Sequence, residues 1–372
     1  MSTRFAAFCK REFLLLISAA LAVISCFFAP FSPENYFSEG NLRTLALLFS
    51  LMFSVKGLAH CGIFRRLGES LVNRIASRKL LVLLLCTAVF FLSMLITNDV
   101  ALLTFIPILL ALPDSVLGER EAVLPLTLMT LAANLGSILL PTGNPQNLFL
   151  FSYYGFSLGE FVLSMLPFTL TALILLAAIL LFPREKKACA QPGHEQKTPI
   201  GSPVILTGSA ILFALAVAAS LGAIPFLPVC IAAILFGIVF ARRPLLSVDY
   251  SLLATFLFLF VFTANLSAIE PVRAFLGPLC QTQPFLTGVV ASQFLSNVPA
   301  AVLLAPFTSD GAALLAGVNA GGLGTLIAAM TNIIAYKFYA TKYGRSGRYL
   351  LIFTLVNLLF LGIMIGVYCL FA

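Results

Sequence analysis

Apolar stretches long enough to cross a bilayer recur along the whole chain, near 12–30, 43–61, 161–182, 203–222, 226–241, 250–269 and 349–371. Lipid offers no hydrogen-bond partner, so a spanning backbone must satisfy its own N–H and C=O groups, as only helices and closed barrels do. A helix needs about 20 apolar residues to cross the hydrocarbon. Barrel strands would alternate with a period of two, and these runs are continuous. The chain therefore reads as an all-α polytopic membrane protein. Its composition agrees: 60% hydrophobic and 10% charged, against about 45–50% and about 25% in soluble domains.

Three further regions, 80–112, 121–157 and 281–340, are equally apolar but are interrupted by polar or Gly/Pro-rich points. In the first, Thr97, Asn98 and Asp99 sit inside FLSMLITNDVALLTFIPILLAL. A carboxylate at that depth costs roughly 2.5–3.5 kcal/mol even on an insertion scale. One reading is a turn cap, in which Asn or Asp satisfies local amides. The other is the tip of a re-entrant hairpin that faces an ion rather than lipid.

With the N-terminus in the cytoplasm, and with 80–112 and 281–306 taken as hairpins, the chain makes nine crossings and ends outside. All but Arg43, Lys56 and Arg273 of the 22 Lys and Arg then fall on cytoplasmic segments, as the positive-inside rule requires. The net charge of +8 is thus a topology signal, not a nucleic-acid footprint. The first apolar run is long for a signal peptide and lacks an A-x-A-like site, so it reads as a retained helix. Phe64, Leu67, Leu71 and Ile75 recur at helical spacing between arginines in 64–79, which predicts an amphipathic helix on the inner membrane surface. The polar linker 183–203 separates an N-terminal unit, 1–182, from a C-terminal one, 204–372.

The two units echo each other. Thr97-Asn98-Asp99 aligns with Ser296-Asn297-Val298 at an offset of 199 residues. AANLGSILLPTGNPQN (132–147) aligns with GVNAGGLGTLIAAMTN (317–332) at an offset of 185, pairing Asn134 with Asn319, Gly136 with Gly321 and Asn147 with Asn332. In the threading, the first hairpin opens from the cytoplasm and the second from outside, so the repeats are inverted. Each repeat pairs a hairpin (80–112 or 281–306) with a broken helix (121–157 or 312–340). Matched, interrupted segments of this kind point to a secondary transporter with its site near the midplane. Thr142-Gly143-Asn144-Pro145 cannot continue a helix, and Gly321, Gly322, Gly324 and Thr325 form the second break. Broken helices offer carbonyls to cations and amides to anions.

At TNDVALLTFIP (97–107), LLPTGNPQN (139–147), SQFLSNVPAAVLL (292–304) and VNAGGLGTLIAAMTN (318–332), the chain resembles the ion transporter superfamily. That group comprises arsenite permeases, D-type sodium/proton antiporters, and divalent-anion/sodium symporters with their citrate-permease relatives. The resemblance runs over roughly 40–370. It implies that Thr97, Asn98, Ser296 and Asn297 are hairpin tips holding substrate and sodium ions, that Thr142–Asn144 and Gly321–Thr325 are the facing breaks, and that the protein pairs as a homodimer. The symporters have Thr where this chain has Asp99 and Val298. An Asp at the tip resembles the arsenite permeases and antiporters, and favours a cation or a proton over a bare dicarboxylate.

The expectation is a secondary active transporter of the inner (plasma) membrane that moves a small carboxylate or oxyanion coupled to sodium or protons. The alternative is a cation/proton antiporter using Asp99. Lys56, inside a span, either snorkels to the inner surface or pairs with Asp99. An enzyme is disfavoured, because no cluster of acidic, His or nucleophilic residues stands out. No P-loop is present for ATP-driven transport. The eight cysteines form no C-x-x-C pair and read as small buried hydrophobes. His60 and His194 are far apart, so no metal constellation stands out; the expected partners are a small inorganic or organic substrate ion and the bilayer, sodium at the tips is the one metal ion considered, and no cofactor is called for.

Overall fold

The computed structural model describes residues 12–74, 77–114, 117–181, 199–344 and 346–371. The described residues are overwhelmingly helical, with no strand. In chain order the helices are α1 (Phe13–Ser25), α2 (Pro33–Tyr36), α3 (Glu39–His60), α4 (Ile63–Arg74), α5 (Arg78–Ile96), α6 (Asn98–Leu110), α7 (Glu119–Gly136), α8 (Pro145–Tyr154), α9 (Leu158–Leu181), α10 (Pro203–Ser220), α11 (Phe226–Val239), α12 (Arg242–Leu246), α13 (Tyr250–Ala268), α14 (Glu270–Thr282), α15 (Pro284–Leu295), α16 (Asn297–Leu304), α17 (Gly311–Gly321), α18 (Met330–Tyr343) and α19 (Gly347–Phe371).

Local chemistry sets many of these starts. Ser38, Asp249 and Asp310 accept hydrogen bonds from the backbone N–H groups of Asn41, Leu252 and Ala313, respectively, which satisfies amides that a first turn leaves bare. Pro145, Pro203 and Pro284 stand at first helical positions, where a missing N–H costs nothing. Seven described helical stretches are long and apolar enough to span a bilayer, α5 among them. The expected crossings at 12–30 and 226–241 are the shorter helices α1 and α11.

The outer helices leave large apolar side chains uncovered, among them Leu163, Ile174, Ile211 and Leu351. In water such a surface would be an aggregation liability, whereas in lipid it is the required solvent-facing surface. By contrast, α7 is 83% buried across its apolar window and forms the centre of the molecule. Small residues permit the tightest crossings. A Cβ on Gly136 would lie 2.1 Å from the Phe90 carbonyl oxygen of α5.

The order of elements repeats. Helices α1 to α9 and α11 to α19 follow the same plan: a short span, a brief helix, a long span, an amphipathic helix, two helices joined at one residue, a broken helix and a long final span. Helix α10 has no counterpart. The plan is also interleaved, since α1 packs on α13 while α11 packs on α3. Helices α5 and α6 lie within 78–110 and α15 and α16 within 284–304, while α7 and α8 run over 119–154 and α17 and α18 over 311–343, each of these last two pairs with a non-α-helical stretch between its members. The surface helix expected over 64–79 is α4, ending at Arg74, and its Ile75 lies outside the described residues. Its partner α14 was not anticipated, although Val272, Leu276 and Cys280 form an inward stripe at helical spacing. Most of the linker 183–203 also lies outside the described residues.

Candidate functional site

Among the described residues, two non-glycine residues have positive φ: Thr97 and Ser296. Thr97 adopts φ 69°, ψ 147°, and Ser296 adopts φ 76°, ψ 151°. These are the two aligned tip positions. Each joins a helix to one that folds back against it, α5 to α6 and α15 to α16. This region of backbone space is almost exclusive to glycine and costs roughly 1–3 kcal/mol. Its recurrence at both tips ties the residue-level repeat to one shared geometry.

The breaks lie beside the tips. After α7 the chain passes through two 3-10 turns, Ser137–Leu139 and Pro141–Gly143, before α8. Gly143 is needed there, because a Cβ would stand 2.0 Å from the Ser137 carbonyl oxygen. The Thr142 hydroxyl donates to the Met94 carbonyl at 3.1 Å, one of the acceptors left open where α5 ends. Asn144 caps α8 through the Asn147 N–H at 3.1 Å. In the second half, the Asn297 N–H donates to the Ala328 carbonyl at 2.9 Å, and Gly324 takes φ 101°.

Both tips and both breaks meet at one cavity of about 80 Å³. Asn98, Asp99, Pro145 and Gln146 line it from the first half, and Ser296, Asn297, Val298, Ala329 and Met330 line it from the second. Glu12, Asp249, Ser251 and Thr255 complete its polar rim. Asn98, Pro145, Asn297 and Met330 are the first residues of α6, α8, α16 and α18. Four helix N-termini therefore converge on the cavity, each carrying about half a positive charge. A second cavity of about 120 Å³ is lined by Lys56, Thr97, Thr142 and Asn144, and shares Asp99, Pro145, Asp249, Leu252 and Met330 with the first.

Asp99 stands in the first turn of α6. Its Oδ1 is buried and has no hydrogen-bond partner. Asp249 lines both cavities with Asp99, and Lys56 lines the second. Lys56 shares the second cavity with Asp99, but no ion pair joins them within 4.0 Å among the described residues. Of the two readings of Lys56, snorkelling or a pair with Asp99, the structure shows the two side chains lining one cavity.

The expected carbonyl ligands of the second break are engaged elsewhere. Gln293 Nε2 donates to the Gly321 and Leu323 carbonyls at 2.7 and 2.9 Å, and its Oε1 accepts from the Thr325 N–H at 3.0 Å. Asn332 Nδ2 donates to the Gly322 and Thr325 carbonyls, both at 3.1 Å. Gly321, Gly322, Gly324 and Thr325 accordingly shape the break, while Ala329 and Met330 reach the cavity. Asp249, Glu12 and Gln146 escaped the sequence reading. Asp249 carried a signal, an Asp immediately ahead of the apolar run of α13, which by itself reads as a cap.

An all-helical fold with lipid-facing outer helices, and broken helices converging on a polar cavity, defines a polytopic membrane transport protein. Comparison with known proteins gives the particular family. The sequence model of the citrate transporter family matches residues 6–317, and the chain belongs to that family. The inner membrane protein YbiR of Escherichia coli is 31% identical over 340 residues, covering 88% of this chain and 87% of the relative. The uncharacterized transporter MJ0456 of Methanocaldococcus jannaschii is 30% identical over 355 residues, covering 95% and 97%. The silicon efflux transporter LSI3 of rice is 32% identical over 148 residues, 39% of this chain and 30% of that protein. The family and two of these three relatives are named as transporters.

Proposed function

We propose that this protein is a secondary active transporter that moves a small oxyanion or carboxylate together with a coupling cation, a proton or sodium, held at Asp99. The observation that carries this reading is the convergence of four helix N-termini on a cavity that also holds Asp99. The amide ends attract an anion. The Asp99 carboxylate repels it. A proton or sodium on Asp99 removes its share of the repulsion, that of Asp249 and Glu12 on the rim remaining, so cation and anion favour each other's binding. Such mutual dependence is what a symporter needs, and it is reciprocal by linkage. The coupling ion belongs to the first half. Val298 stands where Asp99 would be in the second, so only the first tip offers a carboxylate to a cation. The silicon named for the rice relative places silicic acid and other oxyacids in the test panel beside carboxylates.

The test is thermal stability of purified protein across sodium, lithium, potassium and choline from pH 5.5 to 8.5, with and without carboxylates and oxyanions, followed by uptake into proteoliposomes. A native-state ligand raises the melting temperature by mass action. The expected result is one anion whose stabilising effect grows with sodium or with acidity, and Asp99→Asn abolishing that dependence. Cation-dependent stabilisation with no effect of any anion would instead favour a cation/proton antiporter using Asp99.

A further inference from the structure

Four buried asparagines that do not line the cavity form two copies of one device. Asn134 Nδ2 donates to Asn332 Oδ1 at 2.9 Å, and Asn319 Nδ2 donates to Asn147 Oδ1 at 2.7 Å. Each pair joins the first half to the second. Asn147 Nδ2 also donates to the Ser137 and Leu140 carbonyls of its own break, both at 3.3 Å. Asn332 Nδ2 does the same to Gly322 and Thr325, at 3.1 Å. The offset of 185 residues that pairs Asn134 with Asn319 also carries Asn147 to Asn332, Ser137 to Gly322 and Leu140 to Thr325. It carries even the outer donors. Thr331 Oγ1 donates to Asn134 Oδ1 at 2.5 Å, and Gln146 Nε2 to Asn319 Oδ1 at 3.3 Å.

All four side chains are at least 95% buried. A buried amide is stabilising only when its groups are paired, and a half-paired network is worse than an apolar core. The observed network is fed from the cavity. Asn98 Nδ2, at the first tip, donates to Asn134 Oδ1 at 3.4 Å, so tip one connects through Asn134 and Asn332 to break two. Gln146, a cavity residue of the first half, connects through Asn319 of the second and back to Asn147 and break one.

We propose that Asn134, Asn147, Asn319 and Asn332 are a clasp of positioning residues that ties the two broken helices into one body and couples the first hairpin tip to the second break. The two faces of the cavity then open and close as a unit, rather than each half answering its own ligand. The functional consequence rests on reading the cavity as the transport site, but the mechanical coupling does not.

The test is hydrogen–deuterium exchange on the full chain in detergent without added cargo. Asn332→Ser leaves the Asn134 amide without its acceptor across the halves. Exchange is expected to accelerate about fivefold both at 319–332 and at the opposite tip, 94–101. Asn319→Ser, at the other end, is expected to do the same at 137–147 of the first half. These variants should melt as single species, and if one fails to fold the other carries the test. Acceleration confined to the mutated half in either variant would overturn the proposal. Because no cargo is present, that result is separate from a failed transport assay. In proteoliposomes, Asn332→Ser is expected to shift the apparent affinity for anion and coupling cation together, although Asn332 lines neither of the two cavities described.

Discussion

Thr97→Gly separates what the fold wants from what transport wants. Thr97 holds φ 69°, ψ 147°, a conformation that costs a β-branched residue roughly 1–3 kcal/mol and glycine almost nothing. Against that gain, glycine loses about 0.5–1 kcal/mol more through its freer unfolded chain. The Thr97 hydroxyl makes no capping hydrogen bond, so little else is forfeited. The net expectation is stabilisation by about 1 kcal/mol and a melting temperature higher by about 2–4 °C. Thr97 lines the second cavity, and transport should fall at least tenfold when its hydroxyl goes. Thr97→Ala isolates the two effects, because it keeps a Cβ and therefore most of the strain, leaves stability near the parent's and loses transport. The assay pairs melting in detergent with uptake into proteoliposomes. A Thr97→Gly protein that is less stable than its parent, or a Thr97→Ala protein with unaltered uptake, would refute the reasoning.

Gly136→Ala should be destabilising by about 1–3 kcal/mol, because its Cβ would meet the Phe90 backbone oxygen at 2.1 Å and force the hairpin arm away. Gly362→Ala meets nothing within 4 Å and should be neutral or gain up to about 1 kcal/mol of helix propensity; melting temperatures check both. Gln293→Leu strips partners from the Gly321 and Leu323 carbonyls and the Thr325 amide, each a loss of about 1–3 kcal/mol where the group stays dry. Melting and exchange at 319–332 should both register it.

The tips were legible because a Ser/Thr-Asn pair inside an apolar run is expensive in lipid, so the chain needs a reason to carry it. The breaks were legible for a related reason, as Pro145 and the Gly321–Gly322–Gly324 run cannot sustain a helix. Partner choice was not legible. Freed carbonyls must be satisfied by something, but no local rule distinguishes an ion from Asn147, Asn332 or Gln293, which come from 7 to 30 residues away. Asp249 reads locally as a cap, which it is; only the packing of α13 beside α3 brings it to the cavity wall. The surface helix α14 was hidden by Pro278 and by its nearness to the hairpin, although α4, its counterpart, was recognised from the same spacing.

Comparison of the halves sorts the central residues by role. Where both keep the same chemistry, as in Asn134/Asn319 and Asn147/Asn332, the bonds hold the two breaks together. Where they differ, at Asp99 and Val298, the first tip brings a carboxylate to the cavity and the second does not, which gives the cavity a direction. A symmetric pair of carboxylates would undo the proposed function, which makes Val298→Asp informative. The new charge would sit at the N-terminus of α16, facing the same cavity. A unit charge about 6 Å from a bound anion, at an effective dielectric near 20, opposes it by about 3 kcal/mol. Anion affinity should therefore fall by about a hundredfold near neutral pH, and recover on acidification as the second carboxylate takes up a proton. Anion binding unchanged by Val298→Asp would mean that the cargo does not sit among the four helix N-termini.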